Sequence, residues 1–331
     1  MLRTRNPNRN RAAARTAMAR PAMARVVTAA LGTALVLTGC SHPSHTSHPS
    51  HSAHPDTTKA AGSRPTAPDA RHIALKGAVN VRDLGGYRTS DGKQLRYGVV
   101  FRGDALGKLT PADLTVASKL GLRSVVDFRL PVEVRTDGAD RLPKGASAVP
   151  LPIDDTGLYE RTTAAIGSRD PAEQQKALGG GKGAETMRRI YRTFVTEAGA
   201  RRQFARVLDT LADGKGLPLL FHCTSGKDRT GWMSYVLLRA LGVPAATAEA
   251  DYLLSDDIRR SADLKTRDGL KKSGIMRDPQ LIVPLQEVRK DYLGAALTEA
   301  DRRYGGFDAY LSKGLGLDAG TLRRLRTSLL T

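Results

Sequence analysis

The stretch that most restricts how this chain can fold runs from residue 216 to residue 242, "GLPLLFHCTSGKDRTGWMSYVLLRALG". Its first part, "GLPLLFHC", is a short, uninterrupted apolar run that reads as a buried strand. Its last part, "TGWMSYVLLRALG", reads as a helix closed by Gly242. Between them, directly after Cys223, lies a short polar loop carrying two cations and one glycine. A strand that hands over to a helix through such a loop points to a layered α/β domain.

Other segments keep the same rhythm. "YGVVFR" (97–102) and "RSVVDFR" (123–129) are β-branched runs, and "SAVPLPI" (147–153) is a further strand. In "LTPADLTVASKLG", Thr110 is placed to cap a helix, Pro111 to occupy its first position and Gly121 to close it. Met187, Ile190, Tyr191, Phe194 and Val195 form one helical stripe, and Phe204, Val207, Leu208 and Leu211 form the next. Both stripes read as core. Helical spacing returns in Val288, Tyr292, Leu293, Ala296, Leu297, Ala300 and Tyr304. The expected fold is α/β, with a central mostly parallel sheet flanked by helices and a helical C-terminal third. Residues 154–183 are polar, end in "GGGKG" and are too long for an ordinary connection; a mobile active-site loop and a disordered insert are both expected readings.

This pattern begins only at residue 72. The whole chain of 331 residues has 52 Lys+Arg against 33 Asp+Glu, a formal charge of +19, which by itself would suggest nucleic acid or an anionic surface as partner. Seven of the arginines, and no acid, fall in residues 1–39, leaving 45 basic against 33 acidic residues, about +12, once they are set aside. They precede the apolar run "VVTAALGTALVL", the arrangement of a secretory signal too short to span a membrane. "LTGC" at 37–40 resembles the lipobox of bacterial lipoproteins, in which the cysteine, here Cys40, is acylated and becomes the new N-terminus. Residues 40–71 then read as a solvated tether of about 30 Å root-mean-square span. His42, His45, His48, His51 and His54 recur in it every third residue, as a weak metal-binding edge or as a plain spacer. The expected organisation is signal (1–39), tether (40–71) and one catalytic domain (72–331), lipid-anchored on the extracytoplasmic face of the cell membrane, with no nucleic-acid partner. Starts at Met18 or Met23 would give a more ordinary signal length.

With Cys40 acylated, Cys223 has no cysteine partner and keeps a free thiol, either reactive or simply buried. Its position favours reactivity. Where a strand ends and a helix begins, free backbone N–H groups and the helix dipole attract anions. Thr224, Ser225, Gly226, Lys227 and Asp228 can wrap such an anion, with Gly226 permitting close approach, and Arg229 can grip two of its oxygens. The same field would lower a thiol pKa from about 8.5 to about 5.5, raising the thiolate fraction at neutral pH about 30-fold.

Cys-x5-Arg followed by Thr resembles the signature of the cysteine-dependent protein tyrosine phosphatases, and "HCTSGKDRTG" is similar to its bacterial branch. "NVRDLGGY" (80–87), "FRGDAL" (101–106), "VVDFRLPVE" (125–133) and "YGGFDAYL" (304–311) resemble that family in the same order, so the likeness covers about residues 78–330. It implies a phosphocysteine on Cys223, a phosphate clamp at Arg229, a hydrogen bond from Thr230 to the thiolate, and no metal or cofactor. The implied general acid is Asp228, as in phosphoinositide phosphatases of the myotubularin kind, or Asp155 in "LPIDD". Asp127 is expected to pair with Arg129 or brace the loop, His222 to order it, and Trp232 to lie in the core. Asn80, Arg82 and Asp83 either support the site or form a turn with Gly85 and Gly86. Lys227 is either a second cation for a substrate with several phosphates or a solvated loop residue. Residues 255–279 resemble in position the family's helical lid. The expected substrates are phosphotyrosine, phosphoserine or phosphothreonine, or phosphoinositides, turned over by a monomer. A catalytically silent phosphate-binding module and a metal-binding lipoprotein acting through the His tract are the competing readings.

Overall fold

The computed structural model describes residues 71–331, so the signal segment, Cys40, the histidine tract and the rest of the tether before residue 71 lie outside the described residues. In chain order the elements are β1 (Arg82–Asp83), β2 (Val100–Gly103), α1 (Pro111–Ser118), β3 (Ser124–Asp127), α2 (Pro131–Asp137) and β4 (Ser147–Pro150). Next come α3 (Leu158–Gly167), α4 (Pro171–Leu178), α5 (Lys182–Thr196), α6 (Ala198–Asp213), β5 (Leu219–His222), α7 (Arg229–Ala240) and α8 (Ala245–Lys272). A 3-10 turn at Pro279–Ile282 leads to α9 (Val283–Gln286), α10 (Lys290–Tyr304), α11 (Phe307–Ala309), a π turn at Tyr310–Gly314 and α12 (Ala319–Leu329).

The strands form one sheet in the order β1-β2-β5-β3-β4, parallel except for the antiparallel edge strand β1. β5 is central, and this is why its sequence is apolar without alternation. Leu219 and Phe221 point into the larger core with Val100 and Val126, while Leu220 joins Phe101 and Val125 on the other face. The larger core is closed by the α5 and α6 stripes and by α7, whose Trp232, Met233, Val236 and Leu237 are all buried. Phe128 meets Phe204 edge-on at 5.7 Å, and Phe204 meets Phe194 in the same way at 5.8 Å. α1 starts on the expected cap at Thr110, which Asp113 completes into a capping box. The C-terminal third is helical. Arg71, one residue before the expected domain start, already packs its guanidinium 3.9 Å over the Tyr87 ring.

One expectation needs correcting. Residues 154–183 are not a long loop. They contain α3 and α4, which are polar on their outer faces and bury Ile166 and Leu178 against Leu270, Met276 and Ile282. Asp155 holds the first turn of α3, and Asp170 followed by Pro171 starts α4. The segment 255–279 is helical over most of its length, as the continuation of α8, a 28-residue helix begun at Ala245.

The sheet runs all its parallel strands toward one edge, so Gly103, Asp127 and His222 share a register at their carboxyl ends. Binding sites of open α/β sheets form there. Phe204→Ala, which removes a ring wedged between Phe128 and Phe194, is expected to lower stability by about 3–5 kcal/mol in urea unfolding of the folded domain.

Candidate active site

Cys223 follows the last residue of β5, and Arg229 opens α7, so the loop between them wraps the N-terminus of a buried helix. Gly226 has φ +65°, and a Cβ there would sit 2.4 Å from the Gly103 carbonyl oxygen; only glycine lets the loop lie this close to β2. The free thiol of Cys223 is buried. Burial pushes that thiol up, but the Arg229 charge and the hydroxyl and amide of Thr230 outweigh it and hold the thiol below its ordinary value. The Thr230 hydroxyl is itself buried with no other hydrogen-bond partner among the described residues.

Arg229 is held by a residue that sequence reasoning passed over. Its Nη1 donates to Glu133 Oε2 at 2.7 Å and its Nη2 to Glu133 Oε1 at 2.6 Å, while Nη1 also reaches the Phe128 carbonyl at 3.1 Å. Among the described residues this leaves, of the five guanidinium hydrogens, Nε–H and one on Nη2, which share the other edge of the plane. That edge suits two oxygens of a tetrahedral anion. Glu133 also accepts from the Thr224 hydroxyl at 2.5 Å and, as the third residue of α2, from the Leu130 amide at 2.7 Å. Burial alone would raise the Glu133 carboxyl; the bonds and charge of Arg229 bring it below its ordinary value. Glu133 stood inside "VVDFRLPVE", but no local pattern marks its partner.

The other sequence candidates divide. Lys227 is only 2% exposed, which overturns the reading of a solvated loop lysine. Nor is it a free second cation: its Nζ is bound by both Asp228 oxygens at 2.9 and 2.8 Å and by the Glu287 carbonyl at 3.3 Å. Asp228 also accepts from Tyr191 Oη at 3.0 Å. Asp155 lines a cavity together with Cys223 and Arg229, but its two oxygens accept from the Leu158 and Tyr159 amides at 3.1 and 2.9 Å and so hold the start of α3. Thr224 and Ser225 face this cavity of about 550 Å³, whose mouth also carries Lys76, Lys108 and Lys265.

Asp127 pairs with Arg129 at 2.9 Å, as expected, and Arg129 also reaches Asp140 at 3.0 Å. Asp140 Oδ2 lies 3.0 Å from His222 Nε2, near enough to pair charge though not aligned as a hydrogen bond. Burial lowers the His222 imidazole and Asp140 more than reverses this, leaving it raised. Asp127, Asp140 and His222 have the donor set of a metal site, but the Arg129 guanidinium already supplies the positive charge between the two carboxylates. Trp232 is wholly buried. Asn80 and Arg82 are buried beneath the loop, where Asn80 Nδ2 donates to the carbonyls of Ser225 at 3.1 Å and Gly226 at 2.9 Å. Asp83 instead accepts from the Gly85 and Gly98 amides and shapes a turn.

A depressed thiol at the bottom of a cavity, ringed by backbone amides and one free guanidinium edge, can attack a bound tetrahedral anion. Residues 73–331 match a model described as the tyrosine phosphatase family. The chain is 33% identical over 268 residues to a protein of Cupriavidus necator named as a tyrosine-protein phosphatase, covering 78% of this chain and 92% of that one. It is 30% identical over 277 residues to the triple specificity protein phosphatase PtpB of Mycobacterium tuberculosis, covering 77% and 98%. A tyrosine-protein phosphatase of Nostoc commune is 26% identical over 228 residues, covering 68% and 71%.

Glu133→Ala leaves the Arg229 charge buried and unpaired and is expected to cost about 3–5 kcal/mol by chemical denaturation. Because the folded Glu133 carboxyl lies below its unfolded value of 4.5, its contribution is complete above that pH and is lost as pH falls through the folded value. The gap between wild type and variant should therefore narrow in acid.

Proposed function

This chain belongs to the tyrosine phosphatase family and is a phosphoric monoester hydrolase of that type, and from that premise we propose that it works through a phosphocysteine on Cys223. The observation that carries this reading is the lowered thiol of Cys223 inside a loop closed by Arg229, whose Nε edge is left open. In the first step the Cys223 sulfur attacks phosphorus, the bond to the ester oxygen breaks, and Asp228 gives that oxygen its proton. In the second step Asp228 takes a proton from water, the water oxygen attacks phosphorus, and the P–S bond breaks. The Thr230 hydroxyl stabilises the departing thiolate, and inorganic phosphate leaves.

Asp228 is favoured over Asp155 because it belongs to the loop that holds Cys223 and is aimed by the side chains of Tyr191 and Lys227, whereas the bonds to Asp155 come from the backbone of α3 and serve that helix. Phosphotyrosine is the first substrate, with phosphoserine and phosphothreonine alongside it, and the enzyme acts as a monomer. A second reading, phosphoinositides, is supported by the roomy cavity with Lys76, Lys108 and Lys265 at its mouth, and it is compatible with the breadth that the name of the mycobacterial relative states.

On an alkyl phosphate, whose leaving group needs a proton, Asp228→Asn should slow turnover about 100-fold or more, and Asp155→Asn only a few-fold. The reverse order would move the acid to Asp155, and full activity of Cys223→Ser would overturn the mechanism. The proposal includes export and acylation of Cys40: a fatty-acid label should enter the full chain and be absent from Cys40→Ala.

A further inference from the structure

The loop that holds Cys223 is gripped from outside by its carbonyl groups. Thr224 O accepts from the Ala105 amide at 3.3 Å. Ser225 O accepts from Asn80 Nδ2 at 3.1 Å and Arg259 Nη1 at 3.2 Å. Gly226 O accepts from Asn80 Nδ2 at 2.9 Å and Arg102 Nη2 at 2.8 Å. In a trans peptide the N–H of the next residue points opposite to the carbonyl. Fixing three successive carbonyls against the scaffold therefore turns the N–H groups of Ser225, Gly226 and Lys227 the other way. Among the described residues none of these three amides finds an acceptor in the protein. Three converging, unsatisfied donors are what a tetrahedral anion requires.

The two side chains that hold Gly226 are themselves fixed. Arg82 Nη1 donates to Asn80 Oδ1 at 2.6 Å, so the Asn80 amide can present only its nitrogen to the loop. Asp251 on α8 binds Arg82 Nε at 3.1 Å and Arg102 Nη1 at 2.6 Å, and Ser255 one turn later lies within 3.3 and 3.4 Å of the same two guanidinium groups. Asn80, Arg102 and Arg82 are all essentially without solvent contact.

We infer that Asn80 and Arg102 are positioning residues of the reaction: without touching substrate, they aim the Gly226 and Lys227 amides at the phosphoryl oxygens. The inference rests on the reading that the loop from Cys223 to Arg229 binds a phosphoryl group. A merely structural pair would change how much protein folds. A positioning pair changes what each folded molecule does.

The test uses the full chain, with inorganic phosphate as the probe. For wild type, Asn80→Ala and Arg102→Lys, three quantities are measured beside the melting temperature. They are the inhibition constant of inorganic phosphate, kcat/KM on an aryl phosphate, and the pH midpoint of Cys223 alkylation by iodoacetamide. Asn80→Ala is expected to weaken phosphate about 10-fold or more, to lower kcat/KM about 100-fold, and to move the alkylation midpoint upward. Arg102→Lys keeps its charge on Asp251 but cannot also reach Gly226 O, and should show the same pattern at smaller size. Wild-type phosphate inhibition and alkylation in both variants, with only the melting temperature lowered, would overturn the inference. Should the variants not fold, wild type decides by amide hydrogen exchange: saturating phosphate should slow Gly226 and Lys227, and unchanged exchange overturns the inference. Failure of the underlying reading looks different, because wild type itself would then show no Cys223-dependent hydrolysis.

Discussion

A guanidinium that is to grip a dianion from one side must be held from another, and the contact between Arg229 and Glu133 does this with two parallel bonds of 2.7 and 2.6 Å. The carboxylate is 1% exposed and has no water to fall back on, so it depends on Arg229, which in turn keeps only its other edge toward the cavity. Glu133 also caps α2 and binds the Thr224 hydroxyl. One side chain thus ties the start of α2, the loop and the start of α7 into a single geometry. The depressed Cys223 thiol follows from it, because the Arg229 charge that opposes burial is held in place by Glu133.

On the opposite side of the loop the fixing is done by α8. Asp251, Ser255 and Arg259 are spaced four apart, which places them along one face, and all three bear on the loop or on the arginines beneath it. Here two cations share one carboxylate: burial, then the neighbouring Arg102 charge, lowers the Arg82 guanidinium to about 10, while Asp251 stays well below the ordinary carboxylate range. Such an arrangement persists because the terminal guanidinium nitrogens have specific acceptors, among them the Asp251 carboxylate and the Gly226 carbonyl.

What was legible in the sequence was what is local. The four parallel strands, the α5 and α6 stripes and the Cys-x5-Arg loop each announce themselves within about a dozen residues, and the structure has them where the pattern put them, whereas the two-residue edge strand β1 was read only as a turn or a site support. Pairings across long separations were not legible: Glu133 and Arg229 are 96 positions apart, and Asn80 and Gly226 are 146 apart. Lys227 misled because a lysine after a glycine in a polar loop looks solvated, and only the fold brings Asp228 and the Glu287 carbonyl around it. α3 and α4 were hidden for another reason. Each buries so few apolar residues that composition alone cannot distinguish such a helix from a linker; the Asp170-Pro171 start was the signal available.

The length of α8 has a mechanical consequence for the cavity. At about 1.5 Å per residue its 28 residues make a bar of roughly 42 Å. Its first half is clamped in the core through Asp251 and Tyr252, and its second half lines the cavity through Arg259, Lys265 and Gly269. That wall inherits the stiffness of the core. The facing wall is α3, a short helix anchored through a small apolar cluster. That cluster includes Leu270 near the end of α8, so both walls of the cavity take their position from the same bar.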